Sequence, residues 1–492
     1  MLQLIENAKS NPHKIAIVEI DNSFTYQELL DRSKEIATFL LKDKSDLSEA
    51  PVAFMVTPGF DYVATQWGIW RAGGIAVPLC ITYPLPSLQY VINDTGANII
   101  LVGEEYEEVL KIYKSDPSKT FATVAQIPNS KEVELPEIEK SRGAMILYTS
   151  GTTSLPKGVL TTHSNIESQI STLVKAWEWS SNDYILEILP LHHVHGIINV
   201  LCCALWSGAT VEFLNQFSAK EVFKIFLQGK LNVFMAVPTI YFKLIVEWEK
   251  LTKEEQKELH QAMSNFRLMI SGSAALPVSV MEKWKEISGH YLLERYGMTE
   301  IGMAVSNPYH GERRAGHIGQ PLPGVELRTV DDDGAEVKAG EPGEIQIKSS
   351  SVFKEYWGKP KATAKSFTLD GWFKTGDIAV LDNGYYRIFG RNSIDIIKSG
   401  GYKISALEIE EVLRKYPGIK DCGVVGIPNE EWGELVVAAL VADKEFDTDQ
   451  LNTWMRERMP AYKTPRKYIF IPDLPRNTMG KVTKNELKKL FL

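Results

Sequence analysis

The chain has 492 residues, of which 44% are apolar, and carries a formal net charge of −8. This length exceeds the size at which a single core usually keeps growing, so we expect at least two domains. The acidic balance provides no basic field for nucleic acid or an anionic membrane, which excludes both as expected partners and favours small-molecule work. The four cysteines form no disulfide framework and indicate a reducing compartment.

The N-terminal segment shows no targeting signal. Residues 1–7 lack the apolar stretch of a signal peptide and the Arg-rich bias of a transit peptide, and they predict a cytoplasmic protein. The longest apolar run, residues 194–206, is too short to cross a bilayer, so we expect a buried helix there.

Helical and strand patterns alternate along the first half of the chain. Thr25 and Glu28 form a capping box that begins a helix, and a strand is expected to start at Pro51. Further apolar strands are predicted at residues 99–102, 144–148, 210–213, 233–237 and 268–271. Their separation by helical segments is typical of parallel α/β layers.

After about Ser306 the pattern changes to short strands with turns at residues 331–334 and 340–343, which predicts a small antiparallel sheet or barrel. From about Asn392 a compact α+β unit follows, with a helix opened by Ser405. Its other elements are expected at residues 422–427, 435–441 and 449–459. We therefore predict an α/β protein. It has a large N-terminal domain, residues 1–391, of layered α/β subdomains plus a small β-barrel-like sheet, and a small mobile α+β C-terminal domain, residues 392–492.

Residues 148–158 are rich in hydroxyls and glycines and contain Lys157. Glycines let backbone N–H groups turn toward an anion, and the lysine adds a point charge, so the segment suits a polyphosphate. Its spacing is not that of a Walker loop. A loop of this composition is also common as an ordinary surface turn, so it needs support from the rest of the chain.

Four further clusters share this character. Residues 296–300 offer an aromatic face, a hydroxyl and a carboxylate; residues 375–377 offer a carboxylate in a loop; residues 390–403 form a glycine-rich loop with basic flanks. Residues 475–481 place a lysine at a glycine turn. Taken one by one, these clusters equally fit a turn, a hairpin and a solvated surface lysine.

Together, the five clusters occur in the order and at the intervals of one family. Over nearly its whole length the chain resembles the adenylate-forming enzymes, the acyl-CoA synthetases and their relatives. Residues 192–196, 271–277 and 294–300 resemble the malonyl-CoA synthetase branch of that family. One departure is Ser154, where the family normally has glycine in the phosphate loop.

The resemblance implies a two-step reaction in which a carboxylate and ATP form an acyl-adenylate and coenzyme A then displaces AMP, with Mg²⁺ assisting. The residues that it assigns to catalysis are Lys481, Thr299, Glu300 and His193. Those that it assigns to ATP and coenzyme A are Thr149, Ser150, Gly151, Thr152, Thr153, Lys157, Ser273, Ala274, Ala275, Tyr296, Gly297, Asp377, Arg391, Lys398, Gly400 and Gly401. Mg²⁺ would be held by Thr152 and Glu300. The small domain would rotate about a hinge at Ser393 between the two steps.

The resemblance also bears on the acid. Arg295 stands where fatty-acyl relatives commonly carry glycine, and its guanidinium would pair the far carboxylate of malonate with help from His193 and Ser273. Met303 would decide whether the methyl group of methylmalonate is admitted. The ordinary alternative for Arg295 is an ion pair with Glu294 or another acid.

Other functions stay open at this stage. A zinc site at the histidines of residues 192–195 is disfavoured because adjacent side chains point in different directions. A medium- or long-chain fatty-acyl-CoA synthetase, an adenylation enzyme that loads a carrier protein, and a catalytically silent nucleotide-binding protein are the alternatives. The expected oligomeric state is a monomer or a weak homo-oligomer.

Overall fold

The structure is a computed structural model that describes residues 2–128, 133–149, 156–391, 394–400, 402–477 and 480–492. A π-helix spans His195–Cys202. The α-helices of the described residues are α1 Gln3–Lys9, α2 Tyr26–Leu41, α3 Phe60–Arg71, α4 Leu85–Thr95, α5 His163–Ala176, α6 Cys203–Trp206, α7 Ala219–Leu227, α8 Pro238–Trp248, α9 Lys253–Ser264, α10 Val278–Ser288, α11 Pro360–Ser366, α12 Ala406–Leu413, α13 Thr448–Arg456 and α14 Lys484–Lys489.

The strands of the same residues are β1 Ile15–Val18, β2 Ser23–Thr25, β3 Pro51–Met55, β4 Ile75–Pro78, β5 Ile99–Val102, β6 Thr120–Thr123, β7 Gly143–Thr149, β8 Lys157–Thr162, β9 Tyr184–Glu187, β10 Thr210–Phe213, β11 Val233–Ala236, β12 Leu268–Ser271, β13 Leu293–Met298, β14 Gly302–Ser306, β15 Gln320–Pro321, β16 Glu326–Val330, β17 Pro342–Lys348, β18 Glu355–Tyr356, β19 Phe373–Asp382, β20 Tyr385–Arg391, β21 Ile396–Ser399, β22 Tyr402–Ser405, β23 Ile419–Asn429, β24 Gly433–Ala442 and β25 Lys467–Phe470. None of the described helices is long and apolar enough to cross a membrane.

Two large sheets carry the N-terminal part of the chain. One has the strand order β15-β14-β13-β12-β11-β9-β10-β1-β2, and its run from β13 to β1 is parallel. The other has the order β18-β8-β7-β4-β3-β5-β6, in which β7 and β8 form an antiparallel hairpin. The strands predicted at residues 99–102, 210–213 and 268–271 have these same bounds, and the predicted α/β layering is confirmed.

The main core lies between the two sheets. It contains Trp67 and Trp70 of α3 and the buried π-helix, packed against residues of both sheets such as Phe54 and Val211. A second core packs α7 to α10 on the other face of the larger sheet, and a third packs α4 on the outer face of the smaller one. The molecule therefore stacks helix, sheet, helix, sheet and helix, an arrangement that places the amphipathic elements face to face.

Local signals account for several elements. Thr25 caps α2 in a capping box with Glu28, as the sequence predicts, because its hydroxyl accepts from the N3 amide and the glutamate returns to the cap amide. Residues 194–206 do form a buried helix, but its first two turns are π-helical, which the apolar pattern does not reveal.

The later sheets are antiparallel. Strands β16-β17-β19-β20 form the small sheet expected after about Ser306; the described strands give an open path with β16 and β20 at its ends, not a closed barrel. The small C-terminal domain packs α12 and α13 against a sheet of β22-β21-β24-β23, with β25 beside β24. Asn392 and Ser393 lie outside the described residues, so the boundary at 391/392 and the hinge stay predictions.

Candidate active site

The candidate site lies at the carboxyl edge of the larger sheet. His192 and His193 follow β9, Ser273 follows β12, and Thr299 follows β13. The carboxyl ends of parallel strands meet at one edge, which is where open α/β sheets bind their ligands. The topology therefore gathers residues that are more than 100 positions apart in the sequence.

Arg295 is buried at this edge, with 3% of its surface exposed. Its Nε and Nη2 atoms have no hydrogen-bond partner, and burial lowers the pKa of Arg295 to about 9. The neighbouring Glu294 accepts a 3.1 Å hydrogen bond from the Leu276 amide, and its other oxygen has no partner. The structural ion pair with Glu294 is therefore not formed, and two nitrogens of the guanidinium, Nε and Nη2, keep their N–H groups free.

Glu294 and His195 both interact electrostatically with this guanidinium. It lies against Gly272, where an added Cβ would come within 2.4 Å of Nη1. Nδ1 of His195 lies 3.0 Å from the Ser273 hydroxyl. Burial lowers the pKa of His193 to about 4, and burial together with the Arg295 charge holds the pKa of His195 well below its ordinary value. Both imidazoles are therefore neutral at pH 7, and their buried Nε2 atoms have no partner.

Ser273 has a strained backbone, with a φ of +71°. A side chain in the left-handed region costs free energy, and such strain concentrates at functional sites. Next to it, Ala274 is half-buried and Ala275 is exposed, so this turn is accessible to solvent close to the buried Arg295.

Glu300 presents a carboxylate at the turn after β13. Its Oε1 accepts a 2.9 Å hydrogen bond from the Tyr356 hydroxyl, while the buried Oε2 has no partner. Burial raises the pKa of Glu300. The ammonium of Lys157 lies 4.8 Å from the centre of the Tyr356 ring, so this tyrosine brings the lysine and the carboxylate together. Thr299 lines a small adjoining cavity.

Asp377 lies in β19 of the small sheet and contacts residues of β20 and β13. It accepts a 2.6 Å hydrogen bond from the Tyr296 hydroxyl and a 2.9 Å one from Arg391 Nε, its partner in the β19–β20 register. Each carboxylate oxygen accepts up to two hydrogen bonds, so both retain capacity for a hydroxyl donor such as a ribose. The three residues that the sequence assigns to the nucleoside are therefore in direct contact.

The segment assigned to the phosphates joins β7 to β8. Thr149 and Lys157 are paired across this hairpin. Ser150, Gly151, Thr152, Thr153 and Ser154 lie outside the described residues, so their roles stay predictions.

Both ends of that segment are braced. Asp94 accepts a 2.7 Å hydrogen bond from Tyr148 and pairs with Lys359 at 2.9 Å. Tyr90 donates a 2.8 Å hydrogen bond to the Pro156 carbonyl.

Lys481 and the Lys398 loop lie on the small domain. Lys481 is exposed and follows Gly480, where an added Cβ would lie 2.7 Å from Thr239 at the start of α8. Its turn therefore faces the large domain. Gly400 instead donates a 2.9 Å hydrogen bond to the Trp432 carbonyl, within the small domain. Lys398 is exposed, and Gly401 lies outside the described residues.

Two groups beside the candidate residues are not assigned by sequence reasoning. Tyr356 joins Glu300 to Lys157, and His195 joins Ser273 to the Arg295 pocket. His195 lies in the histidine motif of residues 192–196 that carries part of the family resemblance, but the resemblance assigns a role only to His193. Tyr356 gives no local signal because its role depends on strand pairing across the sheet. Met303 is buried opposite Gly297 in the β13–β14 register, and its role beside the acid stays a prediction.

Two family models match this chain. The model described as AMP-binding enzyme matches residues 4–357, and the model for the AMP-binding enzyme C-terminal domain matches residues 408–481. The chain belongs to the AMP-binding enzyme family. The expected family and the two-domain α/β fold are thereby confirmed.

Two of the relatives that this chain matches are named as malonate-CoA ligases. The mitochondrial malonate-CoA ligase of Xenopus laevis is 43% identical over 96% of this chain and 89% of its own length. The malonate-CoA ligase of Arabidopsis thaliana is 39% identical over 98% of this chain and 87% of its own length.

A solved relative is informative about domain arrangement. ATP-bound MatB from Rhodopseudomonas palustris is 32% identical and covers 100% of this chain and 99% of its own, with a TM-score of 0.91. The apo form of the same protein has the same identity and coverage but a TM-score of 0.82. The chain is therefore closer in overall arrangement to the ATP-bound form.

Proposed function

We propose that this protein is an ATP-dependent malonate-CoA ligase, which converts malonate, ATP and coenzyme A to malonyl-CoA, AMP and diphosphate. The family match and relatives named malonate-CoA ligase, at about 40% identity over nearly the whole chain, support this reaction. Methylmalonate is the proposed second substrate.

The observation that carries the choice of acid is the unpaired charge of Arg295. A buried cation without a partner destabilises a protein by several kcal/mol, so a structure that keeps one has a use for it. Among the described residues no carboxylate hydrogen-bonds to that cation, and Glu294 acts on it only electrostatically. Ser273 and His193 would supply neutral hydrogen-bonding groups. A substrate with a second carboxylate supplies the missing charge, and a fatty acid does not.

The first half-reaction joins the other carboxylate of malonate to the α-phosphate of ATP. A malonate carboxylate is ionised at neutral pH, so no general base is needed; the new O–P bond forms as the bond to diphosphate breaks. Lys481 neutralises charge at the α-phosphate, while Lys157 and Thr149 flank the diphosphate. Asp377 and Arg391 hold the ribose, and Tyr296 lies against the adenine.

The residues present fit a Mg²⁺ ion. Glu300 has a buried oxygen without a partner, and hard oxygen ligands are those that Mg²⁺ prefers, with ATP phosphates completing the set. Glu300 and the Thr152 hydroxyl would hold the ion, which neutralises phosphate charge when bound.

The second half-reaction passes the acyl group to coenzyme A. Its thiol attacks the acyl carbonyl, a C–S bond forms, and AMP leaves with the electron pair of the broken C–O bond. We propose that the small domain rotates about Ser393 before this step, which withdraws Lys481 and brings Lys398, Gly400 and Gly401 toward the pantetheine. The contact of the Lys481 turn with Thr239 fits the arrangement for the first step.

A diphosphate-release assay over a panel of acids tests this function. We expect turnover of malonate and slower turnover of methylmalonate, with succinate, acetate, octanoate and palmitate far behind. The sharpest control is monomethyl malonate, which keeps the attacking carboxylate and loses only the far charge. Equal use of malonate and its monomethyl ester would contradict the proposal, and preference for octanoate or palmitate would indicate a fatty-acyl-CoA synthetase. Transfer to a carrier protein in place of free coenzyme A would indicate the carrier-loading alternative.

The remaining expectations also stay proposals. A monomer or weak homo-oligomer and a cytoplasmic location rest on the sequence alone, while the Xenopus relative is named as mitochondrial. The four cysteines are buried and form no disulfide.

A further inference from the structure

In the small domain Lys481 lies where residues 480–482 pair with residues 476–477; these five residues are called the Lys481 hairpin, and residues 478 and 479 lie outside the described residues. The Asn477 amide donates to the Lys481 carbonyl at 2.9 Å, and the Lys481 amide donates back to the Asn477 side chain at 3.0 Å. Arg476 and Val482 form a bridge just outside this pair. The backbone of the lysine is therefore fixed, whereas its side chain is exposed and is not oriented by packing.

Arg476 ties this hairpin to the rest of the domain. One guanidinium nitrogen, Nη1, donates a 2.7 Å hydrogen bond to the carbonyl of Gly480, the residue directly before Lys481. The other, Nη2, donates to the carboxylate of Asp421 in β23. The planar fork of arginine holds two acceptors at a fixed separation, which a flexible lysine ammonium does not do.

Asp421 is itself a fixed anchor. It lies in β23, at the end of the small-domain sheet, accepts a 2.8 Å hydrogen bond from the Cys422 amide, and lies 3.6 Å from Arg414. The chain of contacts therefore runs from β23 through the Arg476 guanidinium to the Gly480 carbonyl.

We infer that Arg476 is a positioning residue that sets the place of Lys481 for the first half-reaction. The inference rests on the proposed role of Lys481. A partly exposed ion pair adds little to folding stability, but a displacement of about 1 Å in a catalytic group costs up to about 100-fold in rate. Loss of Arg476 should therefore reduce adenylation much more than stability.

The test compares the two half-reactions in Arg476→Ala and Arg476→Lys. We expect Arg476→Ala to lower the rate constant of malonate-dependent ATP–diphosphate exchange about 10- to 100-fold, with the KM values of malonate and ATP nearly unchanged. Transfer from a preformed acyl-adenylate to coenzyme A should stay near the wild-type rate. Arg476→Lys should recover only part of the exchange rate. The exchange rate of Asp421→Asn should lie between those of Arg476→Ala and Arg476→Lys.

Arg458→Ala is the matched control. Arg458 is a partly exposed arginine on the same domain that pairs with Glu457 and lies over Trp454, away from the hairpin. It should leave both half-reactions unchanged. Equal loss of both half-reactions in Arg476→Ala, together with a lower melting temperature, would overturn the inference in favour of a structural role.

Lys481→Ala separates the failure of this inference from the failure of the proposed function. If Lys481→Ala abolishes exchange and Arg476→Ala leaves it intact, the inference is wrong and the role of Lys481 stands. If Lys481→Ala leaves exchange intact, the proposed role of the lysine is wrong and the inference falls with it.

Discussion

The Arg295 pocket and the Lys481 hairpin place one cation each at the proposed reaction, in opposite ways. Arg295 is almost fully buried and has two nitrogens without hydrogen-bond partners, whereas Lys481 is exposed on a hairpin whose backbone is hydrogen-bonded. A buried charge discriminates strongly because its environment cannot reorganise to suit a wrong ligand. An exposed charge on a small domain, such as Lys481, is able to move away from the reacting phosphate when the domain rotates. On the proposed mechanism, acid recognition would then be fixed in the core, whereas the phosphate charge would be neutralised by a group that moves.

Removing the lysine charge should have the largest effect. Lys481→Ala should reduce ATP–diphosphate exchange about 10³-fold, because a positioned charge at a developing transition state contributes about 4 kcal/mol. Transfer from a preformed adenylate to coenzyme A should persist. Lys489→Ala, which removes an exposed lysine paired with Glu486, is the control. Equal loss of both half-reactions would break the contrast between a fixed and a moving cation.

Removing the buried cation should have a smaller and selective effect. Arg295→Leu should lower kcat/KM for malonate about 100-fold, or about 3 kcal/mol, because the far carboxylate would be buried without a partner. The KM for ATP should stay near its wild-type value, and activity with acetate should fall much less. Arg295→Lys keeps the charge and should recover part of the loss. Unchanged malonate kinetics would end the assignment of this acid.

The burial of Glu294 next to Arg295 predicts a pH dependence of the free energy of unfolding. Burial, with a smaller contribution from Glu411, raises the pKa of Glu294 to about 8 from an ordinary value of 4.5. The folded state then binds more protons than the unfolded state between these values, so this group makes the protein less stable as pH rises from about 4.5 to 8.

Glu294→Gln removes that titration while keeping an acceptor for the Leu276 amide. We expect its free energy of unfolding, relative to wild type, to increase by about 3.5 kcal/mol between pH 5 and pH 8. Denaturant unfolding at each pH measures this difference. Parallel curves for the two proteins would show that Glu294 is not desolvated.

The smallest effect concerns the methyl group of methylmalonate. Met303→Ala should raise kcat/KM for methylmalonate relative to malonate about fivefold, or about 1 kcal/mol, because a shorter side chain leaves room for one methyl. Met303→Leu, which nearly conserves volume, is the control and should leave the ratio unchanged. An equal change of kcat/KM for both acids would show that Met303 has only a structural role in the core.

Local chemistry allowed much of this molecule to be predicted. The α2 capping box and the strand at residues 268–271 were readable because short-range hydrogen bonds and apolar runs carry their own signal. The sequence resemblance also located Tyr296, Asp377 and Arg391, which the structure brings into direct contact. The π-helical turns were not readable, and the sequence left open whether the small antiparallel unit is a sheet or a barrel, because backbone hydrogen-bond register depends on neighbours that are distant in sequence.

The amino-acid sequence by itself determined the family, the alternation of layers and the identity of the charged residues. Only the tertiary structure decided the states of those charges. Whether Arg295 is paired depends on how Glu294 is engaged by the Leu276 amide and on which side chains pack around the guanidinium. Desolvation and partnership are properties of a three-dimensional neighbourhood, so no local pattern of residues encodes them. For the same reason, the contact of Tyr356 with Lys157 depends on the pairing of β18 with β8, and the contact of Arg476 with Asp421 depends on the packing of segments 55 residues apart.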